Sequence, residues 1–530
     1  MVASYILGKY CFIKGGKTMS QDKGSRSIKW LQFIEEKGNK LPHPVTIFVI
    51  FIFIVMILSH ILYMMGTSVT FEGINQETME PEMLTVNAVS LLVPEGIDYI
   101  FSNIVTNFTS FVALGPVLVA MIGVGVAEKS GYIGALMTNT VTKAPKKLVT
   151  PLVVLMGVLS NVAASVGYVV LVPLGAIIFL GFKRHPLAGL SAAFAGVSGG
   201  YSANLVLGTN DPLLGGISTE AARILDVNYV VNPTDNWFFM FVSTFLVVII
   251  GTFITDKIIE PKLGKYEQEE SIGQVEKLSS KEKKGLFWAN ISILFTVIII
   301  GLLVVPENGV LRGDEGSIIH SPFMSGIIFI MMLIFLIPGI VYGFVTKSIK
   351  NDKDIANLMT YSLESMAGFI VLIFFAAQFV AFFNYTNLGT ILAVKGAELL
   401  QSFQVTGLPL LIALIFITTI INIFIAADSA KWAIMAPVFI PMFMQMGISP
   451  ELTQVAYRIG DSATNIISPL MPFFPLIVAF AQKYGKQNGV GTVVSLMLPY
   501  SIVILICWTI FFAIWYLLGI PVGPGTSLTY

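Results

Sequence analysis

The chain alternates between long apolar runs and short charged loops, and the length of the runs is the first message. A helix needs about 20 apolar residues to cross a bilayer. Runs of that length predict spans at 44–66, 108–127, 236–256, 286–305, 321–345, 357–383 and 490–518. Two further stretches, 187–220 and 452–482, are long enough but interrupted. The first is broken at Gly199-Gly200-Tyr201-Ser202-Ala203-Asn204 and at Gly208-Thr209-Asn210-Asp211-Pro212, the second around Gly460-Asp461 and Pro469. Paired glycines and proline weaken a helix and remove a donor. Amphipathic stretches within 86–107 and at 387–403 predict helices lying at the membrane interface.

Charge orients these runs, because cytoplasmic loops collect Lys and Arg. The tail at 1–43 is basic and predicted cytoplasmic, and no cleavable leader pattern is read in it. Within it a polar stretch begins at Met19, and residues 1–18 read as an upstream extension. Between Lys40 and Lys129 there is no Lys or Arg, and the loop after the first span is acidic, so it faces outside. Lys147 and Lys183 are both cytoplasmic by this rule, yet only residues 148–182 separate them. That is too few for two spans and a turn. The middle, Ser160-Asn161-Val162-Ala163-Ala164-Ser165, is small and polar. The segment therefore predicts a re-entrant hairpin, which survives at membrane depth only where protein or water covers its backbone. Residues 406–446 repeat the pattern around Ala426-Ala427-Asp428-Ser429-Ala430 without basic ends, so this hairpin opens outside. Residues 257–285 read as a cytosolic linker, 286–345 as two connecting spans, and the C-terminus as external.

The halves repeat. Ser165-x-x-Tyr168-x-x-x-x-Pro173 matches Ser429-x-x-Trp432-x-x-x-x-Pro437, and each is followed by a Ser-Ala pair in a broken span, Ser202-Ala203 and Ser462-Ala463. This predicts inverted repeats at 86–256 and 357–520, in an all-α polytopic membrane protein of nine transmembrane helices and two hairpins. Such an architecture belongs to secondary transporters.

Composition agrees. The chain has 530 residues, 55% apolar and 12% charged, where a soluble protein carries about 25% charge. Basic and acidic residues balance at 31 each, which removes any basic footprint for nucleic acid. Cys11 and Cys507 form no disulfide framework, and the four histidines (His43, His60, His185, His320) lack metal-ligand spacing. No metal beyond a transported Na⁺, and no cofactor, is expected.

The few ionisable groups expected at membrane depth, Asp211, Asp428, Lys431, Arg458 and Asp461, cluster at tips and breaks. Each costs about 2.5–3.5 kcal/mol on insertion scales, so each needs a reason. Arg458 and Asp461, three apart, share a helix face and read as a substrate-carboxylate clamp beside a protonatable or cation-binding acid, or as a pair that satisfies itself. Asp211 reads as a coupling or binding acid, or as the N-cap of the helix after it. Trp432 is a candidate platform for an aromatic substrate, or core. Ser160, Asn161, Ser202, Ser429 and Asn465 offer oxygens for a cation or caps for half-helices. Lys431 is expected to snorkel or pair with Asp428.

The run 429–443 (Ser-Ala-Lys-Trp-Ala-Ile-Met-Ala-Pro-Val-Phe-Ile-Pro-Met-Phe), with Ser449-Pro450-Glu451-Leu452-Thr453-Gln454 and the run 457–472, resembles the AbgT family of p-aminobenzoyl-glutamate transporters. Gly208-Thr209-Asn210-Asp211-Pro212-Leu213-Leu214 fits as well. The resemblance implies a homodimer in the cell (inner) membrane. It implies import of p-aminobenzoyl-glutamate, or export of it and of sulfonamide antimetabolites, coupled to H⁺ or Na⁺. It suggests Asp211, Ser429, Trp432, Pro450, Arg458, Asp461 and Pro469 as functional residues. The rivals are a sodium-coupled dicarboxylate carrier, a channel, and an intramembrane hydrolase. The last would need Asp461 to find a second acid, for which Asp211 is the candidate.

Overall fold

The computed structural model describes residue 42 and residues 44–74, 81–142, 145–163, 167–264, 266, 278–313, 316–318, 321–364, 366–402 and 406–530. The expectations for the basic tail, Cys11, His43, Ser165 and His320 lie outside these residues.

Among the described residues, seven helical stretches are long and apolar enough to cross a membrane. They contain α1 (Pro44–Met64), α2 (Pro94–Thr109) leading into α3 (Leu114–Lys129), α9 (Trp237–Ile254), α10 (Ser280–Val304), α11 (Ile327–Thr346), α13 (Ala367–Tyr385) and α19 (Val490–Leu517). Many of their large apolar side chains face outward, such as Phe53, Phe253, Phe287 and Phe295, which suits a lipid solvent. Between them lie α4 (Tyr132–Thr142), α12 (Asp352–Glu364) and α14 (Leu388–Ser402). The predicted interfacial stretch at 86–107 resolves differently. Its first residues end a two-stranded antiparallel ribbon, β1 (Ser68–Ile74) with β2 (Pro81–Asn87), and the helix starts at Pro94. Val69 and Phe71 alternate inward and pack near Ile391 and Val394 of α14, a period of two that argues strand.

Both interrupted stretches are shorter helices joined by irregular backbone. The first runs through α7 (Pro186–Phe194), a π-helical turn (Ala195–Gly199), a loop, and α8 (Asn210–Ala222). The second is α17 (Pro450–Asn465), a break around Pro469, and α18 (Phe474–Gln482). All of α17 is buried, although it carries Gln454, Arg458, Asp461, Ser462, Thr464 and Asn465. Its start is fixed locally: Ser449 accepts from the Leu452 amide, Pro450 occupies the first turn, and Glu451 lies at the positive end of the helix dipole.

The segment of α5 (Val149–Leu159), a tight turn (Ser160–Ala163), a π-helical turn (Gly167–Leu171) and α6 (Val172–Gly181) begins and ends at one end of the molecule. There Arg184 donates to Thr150 Oγ1 at 2.7 Å and pairs with Asp256 and Glu260. The segment of α15 (Leu408–Phe424), the non-helical Ile425-Ala426-Ala427 and α16 (Asp428–Met444) begins and ends at the opposite end. Gly407 abuts the Tyr516 hydroxyl, and Gly447 O accepts from the Tyr530 amide. The 18-residue α9 links the two ends, about 27 Å apart at 1.5 Å per residue.

Glycines let these pieces meet backbone to backbone. A Cβ on Gly157 of α5 would lie 2.8 Å from Gly196 Cα, and one on Gly460 of α17 would lie 2.5 Å from Ile415 O of α15. Small residues give membrane helices this close approach.

Candidate functional site

The tips and breaks converge. The Ser202 amide donates to Ser462 Oγ at 3.0 Å, so the two Ser-Ala pairs of the broken stretches touch each other. Around that crossing the charged residues find partners that spacing along the chain does not show.

Arg458 and Asp461 make no ion pair with each other; each is taken by another element. Arg458, 1% exposed, donates through Nη1 to Asp211 Oδ1 at 2.7 Å. With the Gln454 amide turned oxygen-first, Arg458 Nη2 donates to it at 3.2 Å. Asp211 is not an N-cap. It sits inside the first turn of α8, and its Oδ2 accepts from the Gly208 amide at 2.6 Å, closing the loop before the helix. Asp461 is held by Lys431, whose Nζ lies 2.5 Å from Asp461 Oδ1 and 2.5 Å from Asn422 Oδ1. The expectation that Lys431 snorkels or pairs with Asp428 is corrected: Lys431 lies one turn from the deep tip of the hairpin, where its ammonium is covered by protein, and the acid that faces it belongs to α17. Lys431 is fully buried.

Asp428 instead accepts from the Tyr201 hydroxyl at 3.2 Å, and its backbone oxygen accepts from the Tyr457 hydroxyl at 2.6 Å. Tyr201 lies in the first broken stretch, so this contact also crosses between the halves. Ser429 is half-buried beside it, at the N-terminus of α16. Asn465 closes the second tip: its Oδ1 accepts from Asn422 Nδ2 at 2.9 Å and its Nδ2 donates to Asp461 Oδ2 at 3.3 Å.

Trp432 is fully buried, stacks on Tyr457 at 4.3 Å between centroids, and donates Nε1 to Ser218 Oγ at 3.0 Å. In this conformation its ring is covered by protein. At the first tip, Ser160 Oγ donates back to Gly157 O, and Asn161 Nδ2 donates to Gly200 O at 3.2 Å. Asn161 Oδ1 and Ser202 Oγ are buried and have no hydrogen-bond partner among the described residues. Pro450 and Pro469 stand apart from this cluster, Pro450 two turns up α17 and Pro469, half-buried, in the break below it.

Above the cluster lies a cavity of about 780 Å³ between the loop 225–235, Ser321, Glu451 and the tail 524–527. Asn236 donates to Glu451 O, its Oδ1 is 2.7 Å from the Gln454 amide, and that amide is 2.6 Å from Ser218 Oγ. A polar chain thus runs from the cavity floor to Trp432. In the loop, burial pushes the Asp235 carboxyl up to about 7. Asn422, Tyr201, Tyr457 and Ser218 are members that no sequence expectation named, and Lys431 was expected there only in a different role. Lys431 was visible as a charge inside an apolar arm; the others have no signal in a single sequence.

Among the described residues no group of His, Cys, Asp or Glu could hold a metal ion. The AbgT putative transporter family model matches residues 29–530. The chain belongs to the AbgT family. It is 38% identical over 502 residues to the p-aminobenzoyl-glutamate transport protein of Escherichia coli K12, covering 94% of this chain and 97% of that one. Two solved AbgT relatives superpose on nearly the whole fold. The YdaH transporter of Alcanivorax borkumensis matches with TM-score 0.85 and 42% identity, over 91% of this chain and all of that one. MtrF of Neisseria gonorrhoeae, from a class of antimetabolite efflux pumps, matches with TM-score 0.88 and 48% identity, over 94% of this chain and all of that one. This AbgT protein is an integral membrane transporter, and its relatives are transporters rather than enzymes.

Proposed function

We propose that the protein carries p-aminobenzoyl-glutamate and related aromatic anions, sulfonamides included, across the cell (inner) membrane by alternating access coupled to H⁺ or Na⁺. The observation that carries this reading is the buried Arg458–Asp211 pair at the crossing of the two broken stretches. Asp211 stands where a substrate carboxylate would stand. A guanidinium recognises a carboxylate through two parallel N–H bonds, and here Asp211 takes only Nη1. A proton on Asp211 would weaken its hold and free Arg458 for the substrate, so proton and anion would load together. Asp461 is already engaged, its carboxylate by Lys431 and Asn465 and its backbone oxygen by Asn422.

Two re-entrant hairpins in inverted halves fit this mechanism, since their mouths lie at opposite ends and their tips reach the same crossing. The end bearing Arg184, Lys257 and Lys262 is the cytoplasmic one by the positive-inside rule, with the C-terminus outside. Trp432 and Tyr457 would part to admit the benzoyl ring. We assign the working unit as a homodimer, as the family resemblance implies.

The test is accumulation of radiolabelled p-aminobenzoyl-glutamate in cells with and without the protein, at several pH and sodium values. Uptake or extrusion that depends on expression and on Arg458 is expected. Accumulation unaffected by expression in either direction overturns the substrate.

A further inference from the structure

The buried ammonium at the second hairpin tip has the surroundings of a bound ion. Lys431 Nζ is gripped by one carboxylate oxygen (Asp461 Oδ1) and one amide oxygen (Asn422 Oδ1), with the Tyr457 ring centroid 5.6 Å away. The ligands come from two elements, Asn422 near the end of α15 and Asp461 within α17, and the ammonium from a third, at the start of α16. The surrounding shell is already oriented. Asn422 Nδ2 donates to Asp461 O, Thr464 Oγ1 and Asn465 Oδ1 at 2.8–2.9 Å, which turns its own oxygen toward the ammonium. Asn465 holds the other oxygen of Asp461. A single positive charge in a cage of oriented oxygens at a helix break is what a monovalent cation requires.

We propose that the Lys431 ammonium is a tethered cation, filling a monovalent-cation site built from Asp461, Asn422 and the shell of Thr464 and Asn465. The lysine supplies from within the chain the charge that would otherwise come from solution. The tip is therefore clamped to α17 in every step of the cycle, and no exchangeable ion is taken at Asp461. The inference deepens the transporter reading, because it removes one of the two acids from the list of ion carriers. The cage itself needs no assumption about substrate.

Removing the side chain should open the site. The test uses the full-length protein in detergent, wild type beside Lys431→Ala and the double variant Lys431→Ala/Asp461→Asn. Thermal melting is followed in sodium, potassium, methylammonium or N-methylglucamine chloride at equal ionic strength. Lys431→Ala should melt well below wild type in N-methylglucamine and gain several degrees, saturably, in sodium or methylammonium. That gain should exceed any shown by wild type and vanish in the double variant. A cation response identical to wild type, or one that persists in the double variant, overturns the proposal. Should Lys431→Ala fail to fold in N-methylglucamine, recovery in sodium or methylammonium is the expected result, and recovery in none of the salts overturns it. Melting involves no p-aminobenzoyl-glutamate, so failure of the substrate assignment would leave this result unchanged.

Discussion

The two hairpin tips solve the same problem in opposite ways. Both put non-helical backbone deep inside the protein, and both place an aromatic residue early in the second arm. Tyr168 stacks on Phe473 at 4.5 Å, and Trp432 stacks on Tyr457 at 4.3 Å, so both rings rest on the second broken stretch. The first tip, however, is neutral, and Asn161 Oδ1 in it and Ser202 Oγ beside it have no hydrogen-bond partner among the described residues. The second is charged, and among its described groups Lys431, Asp461, Asn422 and Asn465 bind one another. A tip that satisfies itself can act as a fixed part. One that leaves oxygens over must draw a donor or a cation from outside the chain, because an unmade buried hydrogen bond costs about 1–3 kcal/mol.

The largest test of this division concerns the pair that joins the halves. Removing one partner of a buried ion pair costs about 3–5 kcal/mol. Arg458→Ala should therefore cut p-aminobenzoyl-glutamate binding by at least about 100-fold, measured by equilibrium binding to purified protein. Asp211→Asn, which keeps a polar neighbour but has no titratable proton, should retain binding and flatten the pH dependence of transport. An Asp211→Asn protein with an unchanged pH profile would move the proton elsewhere and weaken the argument that Asp211 stands in for the substrate carboxylate at Arg458.

Next in size is the packing beneath each tip. Gly157→Val drives a side chain into the Gly196 backbone, and Gly460→Val drives one into Ile415 O. Overpacking costs about 1–3 kcal/mol, and more against rigid backbone. Both variants should melt earlier. Gly460→Val should also lose transport, because it separates α17 from the arm that carries Asn422. Equal transport in both variants would deny the second tip its fixed role.

These contrasts show what one sequence could and could not reveal. The breaks, the tips and the cluster of Asp211, Asp428, Lys431, Arg458 and Asp461 were legible, because charge and glycine at membrane depth are costly and local. The pairings were not. Spacing of three put Arg458 and Asp461 on one helix face, but it says nothing of acids and bases arriving from other helices. Asp211 is 247 residues from Arg458. Lys431 was assigned to the nearest acid in sequence, whereas α16 turns it toward Asp461. The ribbon at 68–87 did leave a trace, the alternation of Val69 and Phe71, which the search for long apolar runs passed over.

The hairpin mouths differ as the tips do. The first is closed by the Arg184 cluster, while the cavity beside the second is lined by Asp226, Asp235 and Glu451, with no basic side chain among its described lining residues. Burial raises Asp235 to about 7, above its ordinary value near 4, so the folded state holds that proton more tightly than the unfolded chain. The stabilisation is present in full below about pH 4 and is lost as pH rises through 7. Asp235→Asn should melt with a flatter pH dependence across that window. A profile as steep as wild type would place the titrating group elsewhere. A smaller effect is expected at the platform: Trp432→Phe keeps the stack on Tyr457 but loses the bond to Ser218, about 1 kcal/mol in melting. A loss several times larger would mean that the indole does more than fill space.

The smallest effect is the most discriminating between the tips. Asn161→Ala removes an unpartnered oxygen and a single bond to Gly200 O, so in sodium-free medium the gain and the loss nearly cancel. The variant should melt within about 1 kcal/mol of wild type there. If the spare oxygens of Asn161 and Ser202 hold sodium, wild type gains stability specifically in sodium and Asn161→Ala does not, while Asp461→Asn still does. If they hold water, neither protein distinguishes sodium from N-methylglucamine, and the proton on Asp211 is left as the coupling ion. A sodium response that survives Asn161→Ala but disappears in Asp461→Asn would reverse the comparison. The exchangeable site would then lie at the charged tip, with Lys431 making room for it.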